Sequence, residues 1–355
     1  MDLSKLNVLD LSTVLAGPSV ATFFGELNAN VTKVEHPLNK DVTRSWKSKN
    51  EKKESKTSAY FSSVNYKKKY ITLDLTKDNS RKKLDQLLID TDILITNFKR
   101  SSEKKLNLIP EELQKKFPGL IHGRISGFGD DSDRIAYDLI IQAESGLMSI
   151  NGNQTDPPTK LPIAFVDILA AHQLKEGILL SLLEKQKTGT GSIVSVSLYD
   201  SAICSLANQA SNYLMLNENP KRMGSLHPNI APYGEIFTTK DEKMITFAIG
   251  TNKHFSSLCN FLMLEYLQSD NQFSSNQQRV VNRKTLAKIL QDKISTVSSN
   301  AILNELKSLH VPVAEIKSFD EVFKQKEALN HVRKEIIDNE ETYRVSSIAF
   351  KHKKK

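Results

Sequence analysis

The stretch LNVLDLSTVLAGPSVATFFGELNANVTKVE, residues 6–35, decides the fold. Leu6 to Leu11 is an apolar run of strand length, and Ala16-Gly17-Pro18-Ser19 breaks it. Val20, Phe23, Phe24 and Leu27 then recur at helical spacing, and Val31 to Glu35 alternates as a second strand. Strand, helix, strand in about thirty residues is a βαβ unit.

The alternation continues outward. Tyr70-Ile71-Thr72-Leu73 reads as a strand, Leu84, Leu87 and Leu88 as a helix face, and Ile93-Leu94-Ile95 as a buried strand. Pro110 opens a helix to Phe117, where its missing N–H costs nothing, and Leu120 to Ile125 is a further strand. Lys47 to Lys56 and Asn151 to Lys160 read as loops. A long helix follows Asp167 on the spacing of Ala171, Leu174, Ile178 and Leu182, with Lys185 and Lys187 in its last turn and Gly189 and Gly191 stopping it. Val194, Val196 and Leu198 alternate as a strand, and one helix is expected from about Asp200 to Leu216. This pattern predicts an α/β fold, a parallel sheet with helices on both faces.

Residues 217–232, rich in proline, read as a linker. Beyond it, Ile236-Phe237 and Met244 to Ile249 flank a polar turn and predict a β-hairpin, and helical patterns fill Phe255 to Leu309. The expected organisation is a large domain over 1–216, a smaller α+β domain over 233–311, and a C-terminal segment over 312–355.

Composition narrows the function. Hydrophobic residues are 39% and charged residues 25% of the 355, as in a globular chain. Net charge is +8, much of it from scattered lysines and the tail His352-Lys353-Lys354-Lys355. No helix-turn-helix, zinc-finger or RNA-binding signature accompanies it, so no nucleic-acid partner is expected. The start MDLSKLNVLDLS lacks a signal-peptide pattern, and no apolar run reaches about 18 residues, so no membrane partner is expected. Cys204 and Cys259 form neither a disulfide framework nor a metal-ligand spacing, and a reducing, cytoplasmic location is the simpler reading. No metal site is expected; His172 and His227 have no partner at ligand spacing.

Three places could carry chemistry. The Val14-Leu15-Ala16-Gly17-Pro18 turn opens a helix whose free N–H groups can meet a phosphate, though the dinucleotide signature GxGxxG is absent. Asp167 stands at a helix N-terminus, which should keep it ionised at neutral pH and able to attack a carbonyl without a general base. Spacing alone fits a helix cap at least as well. The Met223-Gly224-Ser225-Leu226-His227-Pro228 hinge could offer backbone donors to an oxyanion, or serve only as a linker.

Taken together these segments resemble the class III CoA-transferases. The resemblance lies in Val8-Leu9-Asp10-Leu11-Ser12 through Leu15-Ala16-Gly17-Pro18, Asn30 to Glu35, and Asn65 with Lys68 and Lys69 before Ile71 to Leu75. It continues through Asp92 to Phe98, Ile125-Ser126-Gly127-Phe128-Gly129, Tyr137 to Met148, Pro162 to Asp167, Thr188 to Gly191, and His227 to Tyr233. It implies that Asp167 is the nucleophile, forming an acyl–aspartyl anhydride and then an aspartyl-CoA thioester. It implies coenzyme A contacts at Leu15, Ala16, His36, Lys69, Leu73, Asn97, Phe98, Lys105, Arg134 and Tyr137, with an acyl-CoA and a small carboxylic acid as substrates. It also implies a Rossmann-like large domain, a C-terminal return to that domain, and a homodimer of two interlocked rings. The chain departs from the pattern at Arg100-Ser101-Ser102, where the family has Pro-Gly, and at His36, where several relatives have arginine. The oxalate branch's glycine loop is not visible near Gly224. The α-methylacyl-CoA racemases share the fold but place a histidine where this chain has Tyr137, and tyrosine is a poor base at neutral pH. A non-catalytic acyl-CoA-binding relative would not need Asp167.

Overall fold

The computed structural model describes residues 2–351, so the basic tail from His352 lies outside the described residues. The chain divides into two compact units, Met1–Met148 with Lys160–Glu218 and Glu327–Lys355, and Ser149–Thr159 with Asn219–Lys326.

The first unit is built on six parallel strands: β1 (Asn7–Asp10), β2 (Asn30–Glu35), β3 (Lys68–Thr72), β4 (Ile93–Thr96), β5 (Ile121–Ser126) and β6 (Ile193–Ser197). Their order is β3-β2-β1-β4-β5-β6, the order of a Rossmann sheet. Successive side chains alternate between two buried faces. Val8, Ile93, Ile95 and Ile121 pack with Val20 and Phe24 of helix Ala16–Glu26 and with Leu174 and Ile178 of helix Phe165–Thr188. Leu9, Leu11 and Leu94 pack on the other face with Leu84, Leu88 and Leu113. Burial on both faces explains why these strands read as apolar runs. The α/β parallel sheet expected from the alternation is therefore present. Gly189 ends the long helix with φ +73°, as expected of a C-terminal glycine.

The single helix expected from Asp200 to Leu216 is instead two, Leu198–Cys204 and Ala207–Leu216. The periodicity is continuous, but Ala207 takes φ +46° and the backbone breaks there.

The second unit holds an antiparallel sheet of β7 (Tyr233–Thr238), β8 (Met244–Ala248) and β9 (Val313–Glu315). Phe237, Ile245 and Phe247 pack against helices contributing Phe255, Leu258, Leu286, Leu290 and Ile302. The β7–β8 hairpin matches the expectation. Two boundaries differ. Val313–Glu315 completes the sheet as β9, so the second unit runs on to Lys326 rather than closing at 311. Residues 149–159 also belong to it, because Gly224 N–H donates to the Gly152 carbonyl (2.9 Å) and Arg222 Nε to the Asn153 carbonyl (3.2 Å).

From Glu327 the chain is again part of the first unit, as the hairpin β10 (Val332–Ile337) and β11 (Glu340–Val345). Ion pairs fix it: Arg44 joins Asp338 at the hairpin tip (2.6 Å), and Arg344 pairs with half-buried Glu26.

Candidate active site

In a doubly wound sheet, ligands bind beyond the C-terminal ends of the strands, where the strand order reverses. Here that point lies between β1 and β4. The chain leaves β1 through Ser12-Thr13-Val14 and leaves β4 through Asn97-Phe98, and these segments wall a cleft. Asn97 ties the two exits together: its side chain accepts from Thr13 N–H (3.0 Å) and donates to Thr13 C=O (2.9 Å).

Asp167 faces this cleft and is 7% exposed. It is the third residue of helix Phe165–Thr188, whose N-cap is Ala164, and it caps nothing. Burial first, and then the charge of Asp138, push its carboxyl up to about 7. This corrects the expectation that the helix N-terminus keeps it fully ionised: lost hydration and a like-charged neighbour outweigh the helix dipole. Among the described residues, no donor hydrogen-bonds its oxygens. The result is a poorly solvated, relatively basic carboxylate at the edge of an open cleft.

Asp138 also places Asp167. Its Oδ1 accepts from Val166 N–H (2.8 Å), and its Oδ2 accepts from Gln142 Nε2 (2.5 Å). Gln142 in turn accepts from Leu161 N–H (2.8 Å). The helix Asp138–Glu144 thus anchors the strand of chain that delivers Asp167. Tyr60, whose ring meets Trp46 edge-on at 5.2 Å, also senses the pair: burial, then Asp167 and Asp138, push its phenol up to about 12.

Of the residues that the resemblance assigned to coenzyme A, Leu15, Ala16, Asn97, Phe98, Arg134 and Tyr137 line the same cleft as Asp167. His36 and Leu73 line a second hollow, which shares Thr13 and Phe98 with the first. His36 Nδ1 accepts from the N–H groups of Leu38 (3.2 Å) and Asn39 (3.0 Å), and its Nε2 lies 3.6 Å from Asp74. The ring is thus engaged on both nitrogens. Arg134 pairs with Glu144 (2.6 Å) over the ring of Phe128. Lys69 and Lys105 line neither hollow. Lys69 pairs in register with Thr32, near the start of β3, and lines a depression with Asn7, Asn30 and Lys83. Lys105 is the exposed last residue of helix Arg100–Lys105.

Arg124, a nearly buried cation in the cleft wall, has no signal in the sequence that marks it as part of the site. It is held by two bonds to Glu103 (both 2.9 Å) and reaches Asp130 at 2.8 Å. Asp138 too has no role that its immediate neighbours reveal, although it lies within the Tyr137 to Met148 segment. An acid four residues before Gln142 was the available signal.

The chain belongs to CoA-transferase family III, which it matches over residues 3–354. It is 32% identical over 327 residues to succinate–glutarate CoA-transferase of Agrobacterium fabrum, covering 90% of this chain and 81% of that one. It is 32% identical over 332 residues to human succinyl-CoA:glutarate CoA-transferase, covering 93% of this chain and 75% of that one. The crystal structure of a CAIB/BAIF family protein from Brucella suis matches with a TM-score of 0.82 and 32% identity, covering 98% of this chain and 92% of that one. The enzyme class expected from the sequence, a CoA-transferase, stands.

No described helix is long and apolar enough to cross a membrane.

Proposed function

We propose that this chain moves coenzyme A from an acyl-CoA donor to a small carboxylic acid through covalent adducts on Asp167. The observation that carries the reading is Asp167 itself, a buried carboxylate without hydrogen-bond donors among the described residues, facing a cleft beyond the parallel strands. An Asp167 oxygen attacks the thioester carbonyl carbon, the C–S bond breaks, and an acyl–aspartyl anhydride forms as the thiolate leaves. The thiolate then attacks the Asp167 carbonyl carbon, expelling the donor carboxylate and leaving an aspartyl-CoA thioester. The acceptor carboxylate attacks that carbon and expels the thiolate, which attacks the acceptor's acyl carbon, giving the new thioester and free Asp167. Each step exchanges one acyl bond for another. Both intermediates hydrolyse readily, so a buried nucleophile suits them.

Leu15, Ala16, Asn97, Phe98 and Tyr137 form the wall for the pantetheine arm in this reading, with the nucleotide towards His36 and Leu73. Arg124 and Arg134, each already paired with carboxylates, would meet anionic groups by exchanging their outer partners, Asp130 and Glu144. The names of the relatives put succinate and glutarate first among the acids to test. The reading keeps a cytoplasmic location, which both free cysteines support, and a homodimer of interlocked rings. The exposed Leu214 and Met215 at the end of helix Ala207–Leu216 give a second copy apolar surface to cover.

The test is a matrix of CoA esters against carboxylic acids, read by chromatography of the CoA esters formed. At least one pair should yield the acceptor's ester, and Asp167→Asn should lower that rate by about a thousandfold or more. Absence of product from every pair, in protein that still binds coenzyme A, would contradict the reading.

A further inference from the structure

The cleft wall after β1 contains a backbone outlier. Val14 sits at φ +72°, a region in which a β-branched side chain crowds its own backbone. Such a conformation persists only where the surroundings over-determine it.

Three groups do so. Asn97 holds both backbone groups of Thr13, as described above. The Asp41 carboxylate accepts from Val14 N–H, at 3.2 Å to Oδ2 and 3.4 Å to Oδ1. Ser12 is tied to Asp10 by its N–H (3.0 Å) and its hydroxyl (2.5 Å). Gly17 lets the turn close, since a Cβ there would lie 2.3 Å from the Ser12 Cβ.

Beneath the turn lies Lys33, wholly buried in β2. Its Nζ donates to Ser12 C=O (2.7 Å) and lies 3.4 Å from Asp41 and 3.7 Å from Asp10. Lys68, also buried, donates to Asp10 (2.9 Å), Asn65 (2.9 Å) and the carbonyls of Pro18 (2.9 Å) and Val64 (3.1 Å). Two lysines and two aspartates are therefore removed from water directly under one turn. Apolar residues of equal volume generally stabilise a fold as well as buried ion pairs do, so stability alone gives little reason for the cluster. What the cluster does uniquely is grip the turn at both of its ends.

We propose that Asp41, backed by Lys33, is a positioning residue for the transfer reaction. It holds Val14 in its left-handed conformation and so sets the wall formed by Val14, Leu15 and Ala16 opposite Asp167. This rests on the transfer reading for its kinetic consequence but not for its structural one. Misplacement of a wall by a fraction of an ångström costs turnover more than binding.

The experiment compares Asp41→Asn, in which the one remaining oxygen keeps the Thr43 N–H and hydroxyl and an amide NH2 replaces the oxygen nearest Val14 N–H, with Glu26→Gln. Glu26 is half-buried at the far end of helix Ala16–Glu26, which the turn opens, and is tied to Arg344, Ser346 and Ser347, away from the turn, so its variant serves as a stability control. In Asp41→Asn, kcat should fall by about tenfold or more while KM for the acyl-CoA moves less than about threefold. Glu26→Gln should lose Tm without losing kcat. Hydrogen exchange read by mass spectrometry on peptides spanning residues 12–17 should be faster by about tenfold in Asp41→Asn and unchanged in Glu26→Gln. Equal kcat in the two variants, or unchanged exchange over 12–17 in Asp41→Asn, would overturn the proposal. The exchange arm decides it even if wild-type protein transfers no CoA, a result that would refute the transfer reading instead.

Discussion

Asp138 accepts a hydrogen bond from the backbone N–H of Val166, the residue just before Asp167, at 2.8 Å. One carboxylate therefore both places Asp167 and raises its basicity. The two effects are separable, because asparagine can still accept from Val166 but brings no charge.

In Asp138→Asn, the Asp167 carboxyl should titrate lower, since a like charge has been removed. If Asp167 carries the proposed attack, the ascending limb of kcat/KM against pH reports its ionisation in the free protein and should move to more acidic pH by about one on the pH scale. A limb that stays in place would separate Asp138 from the basicity of Asp167.

The same titration sets a dependence of stability on pH. Asp167 titrates near 7 in the folded chain and near its ordinary value of 3.8 when unfolded. Between these values the folded chain holds a proton that the unfolded chain has lost. Stability fully present below the lower value is therefore lost as pH rises through about 7. Asp167→Asn does not titrate. Its stability relative to wild type should be greater at about pH 8 than at about pH 5, by about 2 kcal/mol, as read by denaturant unfolding. An advantage independent of pH would show that the carboxyl is not perturbed.

The helix that carries Asp167 is seated on the sheet through Gly177, where a Cβ would lie 2.5 Å from Val194 Cγ1 of β6. Valine is stiff at χ1 and cannot turn aside. Gly177→Ala should cost about 1–3 kcal/mol of stability in denaturant unfolding. A neutral effect would mean that helix and strand separate freely.

Much of the architecture was legible because burial on both faces of a parallel sheet leaves uninterrupted apolar runs, as at Ile93-Leu94-Ile95. The C-terminal hairpin was not, because Glu335, Glu340, Glu341 and Arg344 make its strands read as polar; its ties include ion pairs to Arg44 and Glu26 and hydrogen bonds from Lys67 N–H to Glu335 and from Ser55 to Glu340. Asp167 was legible through its helix, but its basicity was not. That property comes from burial and then from Asp138, 29 residues earlier, neither of which is a local feature. Lys33 shows the same limit more sharply. Nothing within VTKVE marks it as buried, yet it is wholly buried because Asp10 and Asp41, from two other segments, close over it.

The covalent role of Asp167 is tested most directly by trapping. Wild-type protein turning over an acyl-CoA in the presence of hydroxylamine should accumulate a hydroxamate at position 167, located by peptide mass spectrometry, and lose activity in proportion. An unmodified Asp167 in protein that is demonstrably transferring CoA would contradict the account.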